Sequence, residues 1–166
     1  MENRAIAILD AHRVMAVSTI RPDGWPQVTI VGYANDGLLL YFLISRDSQK
    51  FANIQRDGRI AVAIGQEPKD LLKLEAVYAG AHAYEVTGPE QRKMAWRLLQ
   101  LRHPNLADFD LPEQPDAALM VAKCEHLSVL DFAHGSAPKN AMTSRPLDAA
   151  VKAAETGEAT QFDTPI

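Results

Sequence analysis

Hydrophobic and polar residues change rhythm several times along the chain. In residues 1–13, Ala5, Ile6, Ile8 and Leu9 recur at helical spacing, with Asn3 or Glu2 near the start, and predict a short helix. Residues 14–20 (VMAVSTI) are rich in β-branched side chains and run into Arg21-Pro22-Asp23-Gly24. That run is a turn, since Pro presets φ and Gly accepts a positive φ. Residues 26–33 (PQVTIVGY) alternate, so the two runs read as an antiparallel hairpin. Asn35-Asp36-Gly37 is a second turn, and residues 38–44 (LLLYFLI) form a third strand whose continuous apolarity predicts burial on both faces.

A polar corner follows. Asp47 or Ser48 is placed to cap a helix that turns Phe51 and Ile54 inward and ends at Asp57-Gly58. Residues 59–64 (RIAVAI) are a fourth strand and 66–70 polar punctuation. Residues 74–87 form a long strand with Val77, Ala79, Ala81, Ala83 and Glu85 on one face and Tyr78, Gly80, His82, Tyr84 and Val86 on the other. Gly88-Pro89-Glu90 opens a helix whose stripe is Met94, Leu98 and Leu101, with Trp96 nearby, and His103-Pro104 stops it. Residues 105–116 read as a loop. Two last strands, 117–124 and 126–132, meet at Glu125, which marks a bend or bulge. Strands follow strands without helical crossovers, which makes the fold mainly β: a six- or seven-stranded antiparallel barrel with peripheral helices, spanning residues 1–133. Residues 134–166 hold one aromatic, Phe162, and form a tail that either lies loosely or wraps the body or a partner subunit, with a short helical piece at 151–155.

Composition narrows the class. The 166 residues, 47% of them apolar, suffice for one domain with a real core. Seventeen basic against twenty-one acidic residues, a net charge of −4, disfavour nucleic acid or anionic lipid as the main partner. The lone Cys124 precludes an internal disulfide and suits a reducing compartment. No apolar run approaches the ~20 residues of a membrane span, and the acidic start lacks a signal-peptide core, so the expected location is cytoplasmic.

Candidate chemistry concentrates at YFLISRDSQKFANI, residues 41–54. A buried strand there runs out into Ser45, Arg46, Ser48, Gln49 and Lys50 at the mouth of a helix. Hydroxyls, cations and free helix N–H groups are the parts of a phosphate site, although an ordinary capped helix with solvated Arg46 and Lys50 uses the same residues. Histidines 12, 82, 103, 126 and 134 are scattered, and Cys124-x-His126 supplies two ligands where a structural zinc site needs four, so no metal is expected. Neither a Gly-rich phosphate loop nor a Ser-His-Asp arrangement is recognisable, and no protein residue is assigned a catalytic role.

The runs VMAVSTIRPDGWPQVTIVGYA and LLLYFLISRDSQKFANIQRDGRIAVAI resemble the flavin-binding split barrel of the pyridoxamine 5′-phosphate oxidase-like superfamily. The resemblance rests on Gly24 and Pro26 of the hairpin turn, the Tyr41-Phe42 strand, and Ser48-x-Lys50 leading into Phe51 and Asn53. In element order it extends over residues 1–132. It implies a homodimer with FMN in clefts between subunits, and an oxidoreductase acting on a small molecule. Deazaflavin and haem are the other cofactors found among such barrels, and a non-catalytic flavin- or haem-binding module is the alternative function. By resemblance, Ser48 and Lys50 hold the flavin phosphate, with Ser45, Arg46 and Gln49 beside them. Gln27, Val28, Thr29 and Ile30 line the ring, and Tyr41 and Phe42 lie near the ribityl chain or ring, one of them facing the core. Strand alternation allows only one of the pairs Gln27/Thr29 and Val28/Ile30 to point at the ring. The C-terminal Arg- and His-bearing segment that binds pyridoxamine phosphate in the oxidases proper has no match in residues 126–166, so that substrate does not carry over.

Overall fold

The computed structural model describes residues 1–66, 68–106, 108 and 116–132. The expected tail at 134–166 and its helical piece lie outside them, as does most of the loop before residue 116. The elements run α1 (Glu2–Ala11), β1 (Val14–Ile20), β2 (Pro26–Asp36), β3 (Leu39–Ser45), α2 (Gln49–Arg56), β4 (Arg59–Gly65), β5 (Glu75–Glu85), α3 (Pro89–Arg102) and β6 (Ala117–Asp131). The six strands close into an antiparallel barrel in the order β1-β2-β3-β6-β5-β4. Positive φ at Gly24 and Gly37 confirms the two hairpin turns. The second turn is the two-residue link 37–38, because β2 continues to Asp36, opposite Leu39. The two last expected strands are one strand, so the barrel has six. Gly80 pairs with His126 and Ala81 with Cys124, which leaves Glu125 as the extra residue of a bulge.

Alternation decides what each strand contributes. Inward go Met15, Val17, Val31, Tyr33, Leu40, Phe42, Ile60, Val62, Ile64 and Met120, fitted against Ala79, Ala81, Ala83, Ala118 and Ala122. Large side chains on some strands need small ones opposite, which is why β5 is alanine-rich on its inner face. Each end is closed by a helix. The helix α1 presses Ala5, Ile8 and Leu9 onto the core, and its Arg4 pairs with Glu75 and with Asp131 (2.8 Å to the latter). At the other end α2 buries Asn53 and Ile54, with Phe51 packed against the same core.

The outer wall is divided. Outside β3 and its neighbours, α3 covers Ala34, Tyr41, Leu119 and Val121 with Ala95, Trp96 and Leu99. This corrects the expected Met94/Leu98/Leu101 stripe: Met94 and Leu101 are exposed and Leu98 half-buried. Two anchors set the rotation. Trp96 brings the largest apolar area to the contact. Arg102 reaches the carbonyls of Leu9, Asp10 and His12 at 3.3, 3.1 and 2.6 Å, at the C-terminal end of α1. The expected burial of β3 on both faces thus has its cause in a core on one face and α3 on the other. By contrast, the outer faces of β1, β4, β5 and the first part of β2 carry no helix among the described residues.

Trp96→Ala should lower the unfolding free energy by about 3–5 kcal/mol, and Leu101→Ala should change it by less than about 0.5 kcal/mol. Denaturant titration of the two variants checks the assignment of the buried face.

Candidate functional site

The barrel is closed by few rungs at one place. β2 pairs with β3 only from Tyr33↔Phe42 to Asp36↔Leu39, while residues 26–32 of β2 pair with β1 alone. Residues 43–45 of β3 likewise pair with β6 alone. The two strands therefore fork, and among the described residues the β2 backbone beyond Tyr33 has no strand partner on its β3 side. At the fork, His103 Nε2 donates to the Tyr33 carbonyl (2.9 Å) and the ring lies over Gly32, where a Cβ would stand 3.1 Å from its Cε1. Gly32 is small because the imidazole occupies the space. A cleft of about 190 Å³ lies there, lined by Gly32, Leu43, Leu99, His103, Asn105 and Leu106.

The other side of the fork is the first turn of α2. Ser48 Oγ accepts from Phe51 N–H (3.2 Å) and donates to the Ser45 carbonyl (2.6 Å), so Ser48 is the cap, as expected of one of the two candidates. Ser45 Oγ accepts from the Asp47 N–H. Since the Phe51 and Ala52 N–H groups are taken up by Ser48, those of Gln49 and Lys50 remain for solvent or a ligand. Arg46 is engaged elsewhere, gripping both carboxylate oxygens of Glu85, with Arg92 also near, and lying over the Phe51 ring at 5.5 Å.

Lys50 is different. It is half-buried, burial pushes its pKa below the ordinary lysine value, and no acid among the described residues opposes that shift. It also sits in the first turn of a helix, where the dipole repels a cation. For the unliganded fold this placement is unfavourable. The folded pKa is lowered, so the strain is present at neutral pH and is relieved only as pH rises through that value toward 10.5.

A buried amide ties β2 to this corner. Asn53, with no exposed surface, donates from Nδ2 to Thr19 Oγ1 (2.9 Å) and Gln27 Oε1 (3.1 Å), and accepts from Gln49 Nε2 (2.9 Å). Thr29, two residues along the Gln27 face, has a buried Oγ1 without a hydrogen-bond partner. Gln27 and Thr29 hence face the barrel end. Val28 and Ile30 face outward and are 63% and 68% exposed. They join Val14, Ala16, Ala61, Ala63 and Tyr78 in a bare apolar surface with hollows of about 330 and 380 Å³.

Of the residues singled out by sequence, the structure brings Gln27, Thr29, Ser45, Ser48, Gln49 and Lys50 to one corner. Arg46 is there but held by Glu85. Tyr41 and Phe42 are fully buried, in the α3 layer and the barrel core respectively, so neither presents surface to the fork. Sequence reasoning missed Thr19, Asn53 and His103 as members of the site. Asn53 had a signal, an amide on the helical face shared with Lys50 and Ile54; His103 had none beyond its place after α3. Among the described residues, no group of three His, Cys, Asp or Glu side chains is placed to hold a metal. No described helix is long and apolar enough to cross a membrane.

The Cys124 thiol is pushed up to about 11 by burial. Native protein at pH 8 should thus react with a thiol reagent slower than free cysteine by on the order of a hundredfold, and at the free rate in urea; a stopped-flow labelling trace reads both.

The family model for pyridoxamine 5′-phosphate oxidase matches residues 1–131. No curated protein matches the sequence. Among solved structures, a conserved hypothetical protein from Mycobacterium tuberculosis superposes with TM-score 0.71 at 19% identity, over 88% of this chain and 94% of that one. The haem storage protein HutZ of Vibrio cholerae gives 0.65 at 16% identity, over 75% and 89%. An FAD-binding protein of Mesorhizobium loti gives 0.63 at 19%, over 78% and 93%. These likenesses concern the fold. With the forked six-stranded barrel and a family match over most of its length, the chain belongs to the pyridoxamine 5′-phosphate oxidase family.

Proposed function

We propose that the protein is an FMN-dependent oxidoreductase acting as a homodimer on a small molecule. The observation that carries this reading is Lys50, a half-buried cation without a counter-charge among the described residues, next to two unclaimed helix N–H groups. A phosphate supplies the missing charge and accepts those N–H groups. Ser45 and Gln49 stand beside it, and Ser48 shapes the turn through its cap. The partnerless β2 edge and the orphan Thr29 Oγ1 suit a flat ring with polar edges, which needs an apolar slot with a few orienting groups. When bound, FMN supplies hydride or electron transfer, while the protein binds it, orients it and sheds water from it. Arg46 serves indirectly, since its pairing with Glu85 braces the strand end from which α2 starts.

The second subunit enters through the bare face. Exposed Val28, Ile30, Tyr78 and Val14 around small Ala16, Ala61 and Ala63 make an apolar surface of the kind buried between copies. A tetrapyrrole is the second reading, on the likeness to a haem storage protein. His103 favours it: with Nε2–H bound to the Tyr33 carbonyl, Nδ1 is left with a lone pair at the cleft.

Three measurements test these points. The purified protein should be yellow, with flavin absorbance and no Soret band; the reverse spectrum overturns the FMN reading. Lys50→Met should raise the melting temperature of the unliganded protein and weaken FMN at least tenfold, about 1.4 kcal/mol, with little effect on riboflavin. Ile30→Asp should convert dimer to monomer in sedimentation and lower FMN affinity with it, whereas an unchanged sedimentation coefficient removes the bare face as the interface.

A further inference from the structure

The cleft at the fork has a fixed polarity. The Tyr33 carbonyl can only accept, so the His103 nitrogen 2.9 Å from it, Nε2, carries the proton, and turning the ring over would lose that bond. In the neutral ring Nδ1 is then a bare acceptor, with no hydrogen-bond partner among the described residues. A Cβ on Gly32 would stand 3.1 Å from Cε1 and 3.7 Å from Nδ1, so this edge of the imidazole faces a residue of the cleft wall. The backbone holds the ring in place. His103 N–H donates to the Leu99 carbonyl at the end of α3 (2.8 Å), and the His103 carbonyl accepts from Leu106 N–H (2.9 Å).

The remaining walls are mostly apolar. Leu99 is buried in the α3 layer, Leu43 and Leu106 pack against that layer, and Gly32 adds no side chain. Asn105, the other polar residue of the lining, is exposed. At about 190 Å³ the cleft matches one six-membered aromatic ring, since an apolar cavity of about 150 Å³ takes up benzene. A single inward acceptor among apolar walls is complementary to one hydrogen-bond donor on that ring.

We propose that the cleft is a binding site for a phenolic ring, whose hydroxyl donates to His103 Nδ1 while its faces lie against Leu43, Leu99 and Leu106. Gly32 is the last residue of the β2 stretch without a β3 partner, so the site borders the edge to which the flavin reading gives the ring. Its use as the substrate site of a flavin enzyme rests on that reading; the binding of a phenol does not. His103 acts here through the nitrogen that the fold leaves unused, and its bond to Tyr33 means that the acceptor is oriented before the ligand arrives.

Phenol and toluene, rings of similar size with and without the donor, test the site by NMR titration of the protein as purified. At pH 8 an ordinary histidine is neutral. Phenol should bind saturably, and the 15N resonance of His103 Nδ1 should move with phenol far more than with toluene. His103→Phe keeps a ring over Gly32 and removes the acceptor, so the ratio of phenol to toluene affinity should fall about tenfold, as for one lost hydrogen bond. Leu106→Trp leaves the imidazole and its bond to Tyr33 in place but fills the cleft. It should weaken both ligands at least tenfold, and it serves where His103→Phe folds poorly. Absence of saturable phenol binding by the wild type overturns the inference, as does an unmoved Nδ1 resonance or an unchanged phenol-to-toluene ratio in His103→Phe. A protein that binds FMN but no phenol loses this site and keeps the cofactor reading. One that binds phenol but no flavin keeps the site and loses only its place beside a flavin.

Discussion

Closing six antiparallel strands on themselves imposes one constraint from which the rest follows: every strand has an inner face that must be filled and an outer face that must be covered or left bare. Filling is achieved by matching bulk against alanine, with Tyr33, Phe42 and Met120 set against Ala79, Ala81 and Ala83. The barrel needs stoppers as well, and α1 and α2 serve as these. A helix across a barrel mouth must run from one strand end to another, and so α2 lies between β3 and β4 with its first turn against the fork. The position of Lys50 is a consequence of that crossing.

The fork between β2 and β3 is where closure is weakest and where the polar groups collect. Four rungs, Tyr33↔Phe42 to Asp36↔Leu39, hold the strands together, and among the described residues none joins residues 26–32 of β2 to β3. An open sheet edge is usually a liability. Here it is flanked by His103 on one side and by the Asn53 amide cluster on the other, each attached to β2 by a hydrogen bond. The site is therefore built from a break in the ladder. Its stability cost, a cation half-buried beside a helix start, is the same feature that makes it receptive to an anion.

The outer wall shows the same division of labour. One half is covered within the chain by α3, oriented by Trp96 and by the grip of Arg102 on the end of α1. The other half exposes Val28 and Ile30 from the very stretch of β2 whose opposite face supplies Gln27 and Thr29. Strand alternation thus divides four consecutive residues between two tasks.

Local signals in the sequence determined the elements, because they depend on neighbours in the chain. Gly24 and Gly37 placed the turns, Asp47 or Ser48 the cap, Pro89 the start of α3, and the apolarity of β3 announced two covered faces. Glu125 was readable as an irregularity, yet whether it divided two strands or bulged within one depended on pairing with Gly80 and Ala81. The face of α3 was misread because Met94, Leu98 and Leu101 form as good a stripe on paper as Ala95, Trp96 and Leu99; only the surface of β3 and the carbonyls of α1 choose between them. The same holds at the site. The family resemblance singled out Ser48 and Lys50 among the polar residues at 45–50, but which of Arg46 and Lys50 stays without a counter-charge among the described residues was decided by Glu85, 39 residues away from Arg46. Asn53 joins residues 34 and 26 positions distant, and contacts of that range exist only once the barrel has closed.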